Sequence, residues 1–184
     1  VAGSDDAGTA GHAASASMLA LATLERADIE QAIAVIDRAI AAEQAEFGAD
    51  DLANRPYLHA QKGNLLIKAR QYEAAIAEME RALDLERQRP LSEVTNTDTI
   101  LNKLAGLYLY TRNDDARAGP LIAQALEHAG EKGDSATLGQ TLLLQAMLNL
   151  NHGRAGEAVE SVRQGRALLE AYISSSAPDA QASR

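Results

Sequence analysis

The chain has 184 residues, of which 46% are hydrophobic, with one Phe, no Trp and no Cys, and a net charge of −9. That length fits one domain or a short repeat array, and the excess of acid excludes a phosphate backbone as the natural partner. The missing cysteines exclude disulfides, thiolate catalysis and Cys-based zinc sites together.

The apolar content is mostly Ala and Leu rather than aromatic or β-branched, which favours helices over strands. No apolar run reaches the roughly 18–20 residues of a membrane span, and the start shows no charged-then-apolar leader. Opening on Val1 rather than Met is expected of a processed chain or of a piece of a longer one. Residues 1–12 are rich in Ala, Gly and Ser and predict a flexible lead-in; residues 174–184, with Pro178, predict a flexible tail. Between them eight helices are expected, near 13–26, 29–47, 55–69, 72–88, 93–111, 114–131, 135–151 and 155–173.

A register links these helices. A small residue opens every second one at Ala32, Ala75, Ala118 and Ala158, spaced 43, 43 and 40 residues. Seven residues later a second small residue follows, at Ala39, Ala82, Ala125 and Gly165, with Ile36, Met79, Ile122 and Val162 between. Residues seven apart share one helix face, so the small pair admits a neighbouring helix and the bulky residue fills the gap. Twelve residues before each leading alanine stand Ala20, Gly63, Gly106 and Ala146, marking a preceding helix that touches the first. Turns are expected at 26–28, 69–71, 112–114 and 152–154. Asp28 with Gln31 predicts a capping box, and Asp114 predicts an N-cap. A fixed period of this kind implies stacked helical pairs, with repeats near 13–54, 55–91, 92–133 and 134–173.

These positions resemble the tetratricopeptide repeat, most fully in Gly63, Leu66, Tyr72, Ala75, Met79, Ala82 and Leu83, and again in Gly106, Ala118, Ile122, Ala125 and Leu126. The 40–43-residue spacing is similar to the longer subclass found in kinesin light chains and bacterial regulators, and Phe47-Gly48-Ala49-Asp50-Asp51 resembles its inter-repeat link. The resemblance implies an all-α, right-handed superhelix of antiparallel helix pairs over residues 13–173. It further implies that the first helices line a concave face that takes a protein or peptide segment. Carried over by register, that face offers Asn64, Ile67 and Lys68, then Lys103, Leu107 and Tyr110, then Leu143, Met147, Leu150 and Asn151. Of a carboxylate clamp only Asn64 is present, with Ala60 at the matching basic position. A ligand-sensing module cut from a larger signalling or transcriptional regulator is the alternative.

Catalytic equipment is not legible. His12, His59, His128 and His152 form no metal-ligand spacing, and no nucleotide-binding or nucleophile motif occurs. Asp50-Asp51 and Asp114-Asp115 fit helix capping better than a calcium loop. The reading is therefore a binding module with no enzyme activity, cofactor or metal. Leu168, Leu169, Tyr172 and Ile173 on the last helix, with no predicted helix to cover them, add self-association as a further expectation.

Overall fold

The computed structural model describes residues 6–47, 54–89 and 97–176, with side chains of the first segment described from Glu25 to Ala45. All of it is helical or turn. Seven helices follow in order: α1 Asp6–Phe47, α2 Arg55–Lys68, α3 Tyr72–Arg87, α4 Thr97–Leu107 continued by a π turn Tyr108–Arg112, α5 Asp115–Lys132, α6 Ser135–Asn151 and α7 Ala155–Ser176. Each helix packs mainly on its neighbours in sequence, and α4 also touches α6. This is a helical-repeat arrangement rather than a closed bundle.

The alanine register explains the seams. Ala75, Ala82, Ala118 and Ala125 are all fully buried, as are Met79 and Ile122 between them. Small side chains let the backbones approach; the bulky residue occupies the space left over. The core runs continuously through α2 to α5, taking in Leu66, Ile76, Leu83, Ile100, Leu101, Leu104 and Tyr108.

The first expected hairpin does not form. Residues 13–26 and 29–47 are one helix, so there are seven helices among the described residues instead of eight, and Asp28 caps nothing. The reason lies five residues before each leading alanine. There Arg70, Asn113 and Gly153 adopt left-handed backbones, with φ of 59°, 50° and 71°. That conformation reverses the chain and ends α2, α4 and α6. The equivalent residue in the first repeat is Ala27, the best helix former, which unlike Asn113 and Gly153 is not of a type that favours the left-handed region. The helix runs through, and Arg26 bonds Glu30 across the expected turn at 3.1 Å. The helix also starts at Asp6 rather than near Ala13. Of the link resembled at 47–51, Phe47 ends α1 and the remaining residues, with Asp50-Asp51, lie outside the described ones.

The other turns share one construction. The Gln71 N–H donates to the Leu66 carbonyl at 2.9 Å and the Arg154 N–H to Asn149 at 2.8 Å. After α4 the Asp114 N–H reaches one residue further back, to Tyr108 at 3.0 Å, because the π turn widens the last coil. Asp114 caps α5 as expected, accepting from the Arg117 N–H at 3.1 Å.

A stronger cap was not anticipated. Asp134 accepts from the N–H groups of Ala136 and Thr137, each at 3.1 Å, and from the Thr137 hydroxyl at 2.6 Å. The hydroxyl bond, with the backbone bonds beside it, holds the Asp134 carboxyl below its ordinary range. A lowered native value means that the cap stabilises above the ordinary aspartate range and is lost as pH falls through the native value. Asp134→Ala should therefore cost about 1 kcal/mol at neutral pH. The deficit should shrink when urea melts of both proteins are compared at successively lower pH beneath the ordinary aspartate range.

Candidate functional site

The first helices α2, α4 and α6 line one face of the stack. Between them lies a cleft of about 760 Å³ bounded by Ile67, Tyr72, Asn102, Lys103, Gly106, Leu107, Tyr110, Thr111, Gln140, Leu143 and Leu144. Its floor is aliphatic, its rim carries two tyrosines, and its lining includes one cation and no carboxylate. In a chain of net charge −9 that local absence of acid is notable for any ligand with a negative group.

Tyr110 stands in the π turn that continues α4, and two of its ring carbons lie 3.7 Å from where a Cβ on Gly106, four residues earlier, would stand. The ring is thereby laid against α4 with its other face open, and Tyr110 is 64% exposed. Such π insertions in α-helices often mark functional sites. The Thr111 hydroxyl donates to the Leu107 carbonyl at 2.6 Å and helps hold the widened turn.

A polar couple sits on the cleft wall. The buried Thr141 hydroxyl lies 2.9 Å from Asn102 Oδ1 and 2.8 Å from the Thr137 carbonyl. A hydroxyl has one proton, so it can donate to only one of these at a time. Asn102 Nδ2 is buried and has no hydrogen-bond partner among the described residues. Turning the amide over would let Nδ2 donate to Thr141 and would leave the carbonyl end unpaired instead. Either way one end of the Asn102 amide is left without a partner among the described residues, with Nδ2 itself buried.

Of the residues expected on the concave face, the fold brings five to this cleft: Ile67, Lys103, Leu107, Tyr110 and Leu143. Ile67 also packs on the core, and Leu107 shows only its edge. Asn64 and Lys68 belong to α2 outside the lining, and Lys68 is exposed in the last turn. Met147 is half-buried against the core instead of open to the cleft. Leu150 is exposed beyond it. Asn151 is turned to α5, where Nδ2 donates to Asp115 Oδ1 at 2.8 Å. Asn102, Gln140 and Leu144 were not singled out by register. Asn102 adjoins Lys103 in sequence, and only the pairing with Thr141 distinguishes it.

The three described histidines each face a carboxylate: His59 Nδ1 to Glu78 at 2.6 Å, His128 Nδ1 to Asp98 at 3.4 Å and His152 Nε2 to Asp115 at 3.3 Å. Lys62 joins the first, bridging Asp37 of α1 at 2.7 Å and Glu78 of α3 at 2.8 Å. These contacts tie helices together. Among the described residues no group of three or more His, Asp or Glu side chains is placed to hold a metal, and no helix is long and apolar enough to cross a membrane.

On the side of the second helices, Tyr108 is buried under Arg117, whose guanidinium carbon stands 5.4 Å from the ring centre. Its hydroxyl donates to Glu80 and accepts from Arg117 Nη1 at 3.1 Å. Burial, then the Glu80 bond, raises the Tyr108 hydroxyl above its ordinary range. These contacts join α3, α4 and α5 at Tyr108. No protein-family model and no curated protein matches the chain.

Proposed function

We propose that this chain is a non-catalytic scaffold of the tetratricopeptide type that takes an extended segment of another protein into the α2–α4–α6 cleft. The observation that carries the reading is the composition of that cleft: an aliphatic floor, two rim tyrosines, and Lys103 with no acid beside it. Tyrosine supplies large contact area at small entropic cost, and a concave surface buries an extended chain more fully than a flat one. The lining has no carboxylate or imidazole to act as general acid or base, which supports binding over turnover.

A second reading is a ligand-sensing module of a larger regulator. It is favoured by size: about 760 Å³ falls within the range of roughly 300–1,000 Å³ usual for small-molecule pockets. A displayed library of random peptides, selected on the purified chain, distinguishes the two. The scaffold reading expects selected peptides to share an apolar anchor beside an acidic residue. Their amide shift perturbations should fall on α4 and α6. Perturbations on α3 and α5 would put the working surface on the opposite face. Failure to enrich any peptide, together with a metabolite that shifts the same α4 and α6 amides, would favour the sensor.

A further inference from the structure

The helix α7 carries an apolar stripe that the described residues leave largely open, with Leu169 alone packed in part on α6 at Gly139. Val159 is 69% exposed, Val162 44% and Ile173 66%. The equivalents of the first two in α3 are Ile76 and Met79, at 3% and 1%. In α5 the equivalent of Val162 is Ile122, at 0%. In α5 the position equivalent to Val159 is Gly119, where a Cβ would stand 3.6 Å from Leu148 of the next helix, α6, whereas Met79 of α3 packs back on Gly63 of α2. The repeat design thus places on α7 a surface made to receive one more helix.

Its spacing identifies the kind of helix that fits. Ala155, Val159, Val162, Arg166, Leu169, Ile173 and Ser176 follow one another at alternating intervals of four and three, the seam of a two-helix coiled coil. Arg166 and the terminal Ser176 interrupt it, and the interruption at Arg166 is self-complementary. We propose that the stripe is a dimer surface on which the α7 of a second copy lies antiparallel, with the two-fold axis between Ala167 and Leu168. In that register Val162 meets the second copy's Ile173, and Arg166 lies over the second copy's Leu169 with its guanidinium beside the second copy's Glu170. Each contact occurs twice, as a two-fold interface requires.

The charges permit it. Arg166 Nε now bonds Glu170 of its own helix at 2.6 Å, with the two side chains 74% and 60% exposed. Exposed pairs of this kind are held weakly and can be exchanged for the same pair across the axis. The long Arg166 stem covers apolar surface while its head stays at the rim. A standard interface enlists about 20–30 residues a side, and one face of a 22-residue helix supplies about half. An interface of that size is expected to be weak, so the dimer should appear toward the upper end of a concentration series. This inference does not depend on the cleft.

Light-scattering mass measured across a concentration series tests it. The full chain should rise from 19.5 kDa toward twice that value and stop there. Val162→Asp and Ile173→Asp should each hold the mass at one chain with unchanged helical circular dichroism, because both positions are exposed in the monomer. A Val162→Cys, Ile173→Cys double variant should oxidise to a covalent dimer. Within one helix those positions stand about 16 Å apart, too far for a bridge. A chain that stays at one mass to several hundred micromolar overturns the proposal. So does a mass that grows past two without a plateau, a dimer indifferent to both aspartates, or a doubled mass with no covalent dimer.

Discussion

Replacing Gly165 by alanine should lower the unfolding midpoint, although alanine is the better helix former by roughly 1 kcal/mol. At this crossing the backbones of α6 and α7 touch. A Cβ on Gly165 would lie 2.9 Å from the Gly139 carbonyl oxygen and 3.2 Å from Leu142 Cβ. The reciprocal Cβ on Gly139 would lie 3.0 Å from the Gly165 carbonyl and 2.8 Å from Leu169 Cγ. A carbonyl oxygen in a hydrogen-bonded helix cannot swing aside as a side chain can, so the helices must separate along their length. The expected cost is about 1–3 kcal/mol for Gly165→Ala and more for Gly165→Leu, which should detach α7. Two controls fix the cause. Gly130 has open space where its Cβ would go, and Gly130→Ala should stabilise by roughly 0.5–1 kcal/mol. At Gly63 the obstruction is the flexible Met79 side chain, so Gly63→Ala should fall between the two. Urea melts of the three alanine variants decide the matter: equal stabilisation in all of them would mean that the α6–α7 crossing is looser than its geometry.

The second large effect is expected at the cleft. Once a peptide ligand is in hand, Tyr110→Ala and Leu143→Ala should each weaken it by about tenfold to a hundredfold, the range of buried aromatic and apolar anchors. Lys68→Ala and Lys103→Ala should change affinity by about twofold, because exposed charges are screened. Added salt should erase that difference. The global charge of −9 opposes an acidic ligand at long range, so any help from Lys103 is local. Met147→Ala should appear first as lost stability, since its side chain packs on the core. Glu80 makes a poor control on the other face, because it accepts the Tyr108 hydroxyl. Exposed Arg81 serves better, and Arg81→Ala should leave affinity unchanged. Titrations by fluorescence anisotropy would read all five. A larger loss from Arg81→Ala than from Tyr110→Ala would move the working surface to α3 and α5.

The sequence was most legible where one residue type has one physical use. Ala75, Ala82, Ala118 and Ala125 mark helix seams because no other neutral side chain lets helices approach so closely, and all four are fully buried. The helices from α2 onward therefore fall close to their expected limits. The register failed at Ala27 because periodicity fixes where a turn belongs but not whether the residue there can make it. Arg70, Asn113 and Gly153 occupy left-handed backbones at the equivalent place, and Ala27 does not. The cleft was legible by helix and less so by residue. Repeat positions say which side of α4 and α6 is inward, but helix rotation decides that Leu143 opens to the cleft while Met147, four residues on, packs on the core. The π turn under Tyr110 and the Asn102–Thr141 bond have no sequence pattern of their own, and the bond depends on how α4 meets α6.

The contacts running almost entirely between consecutive helices carry a mechanical consequence. A protein whose parts touch only their neighbours has no single knot that must give before the rest, so each pair answers mainly for itself. Stretched between its two ends, such a chain should extend as a soft spring and then yield in steps. Each step would release one helical pair of about 40 residues, or roughly 13–14 nm of slack. The pair held by Lys62 to both Asp37 and Glu78 is braced on two sides and should be among the later ones to let go. A partner lying across α2, α4 and α6 would span several pairs at once and, by binding, turn a compliant rod into a stiff one.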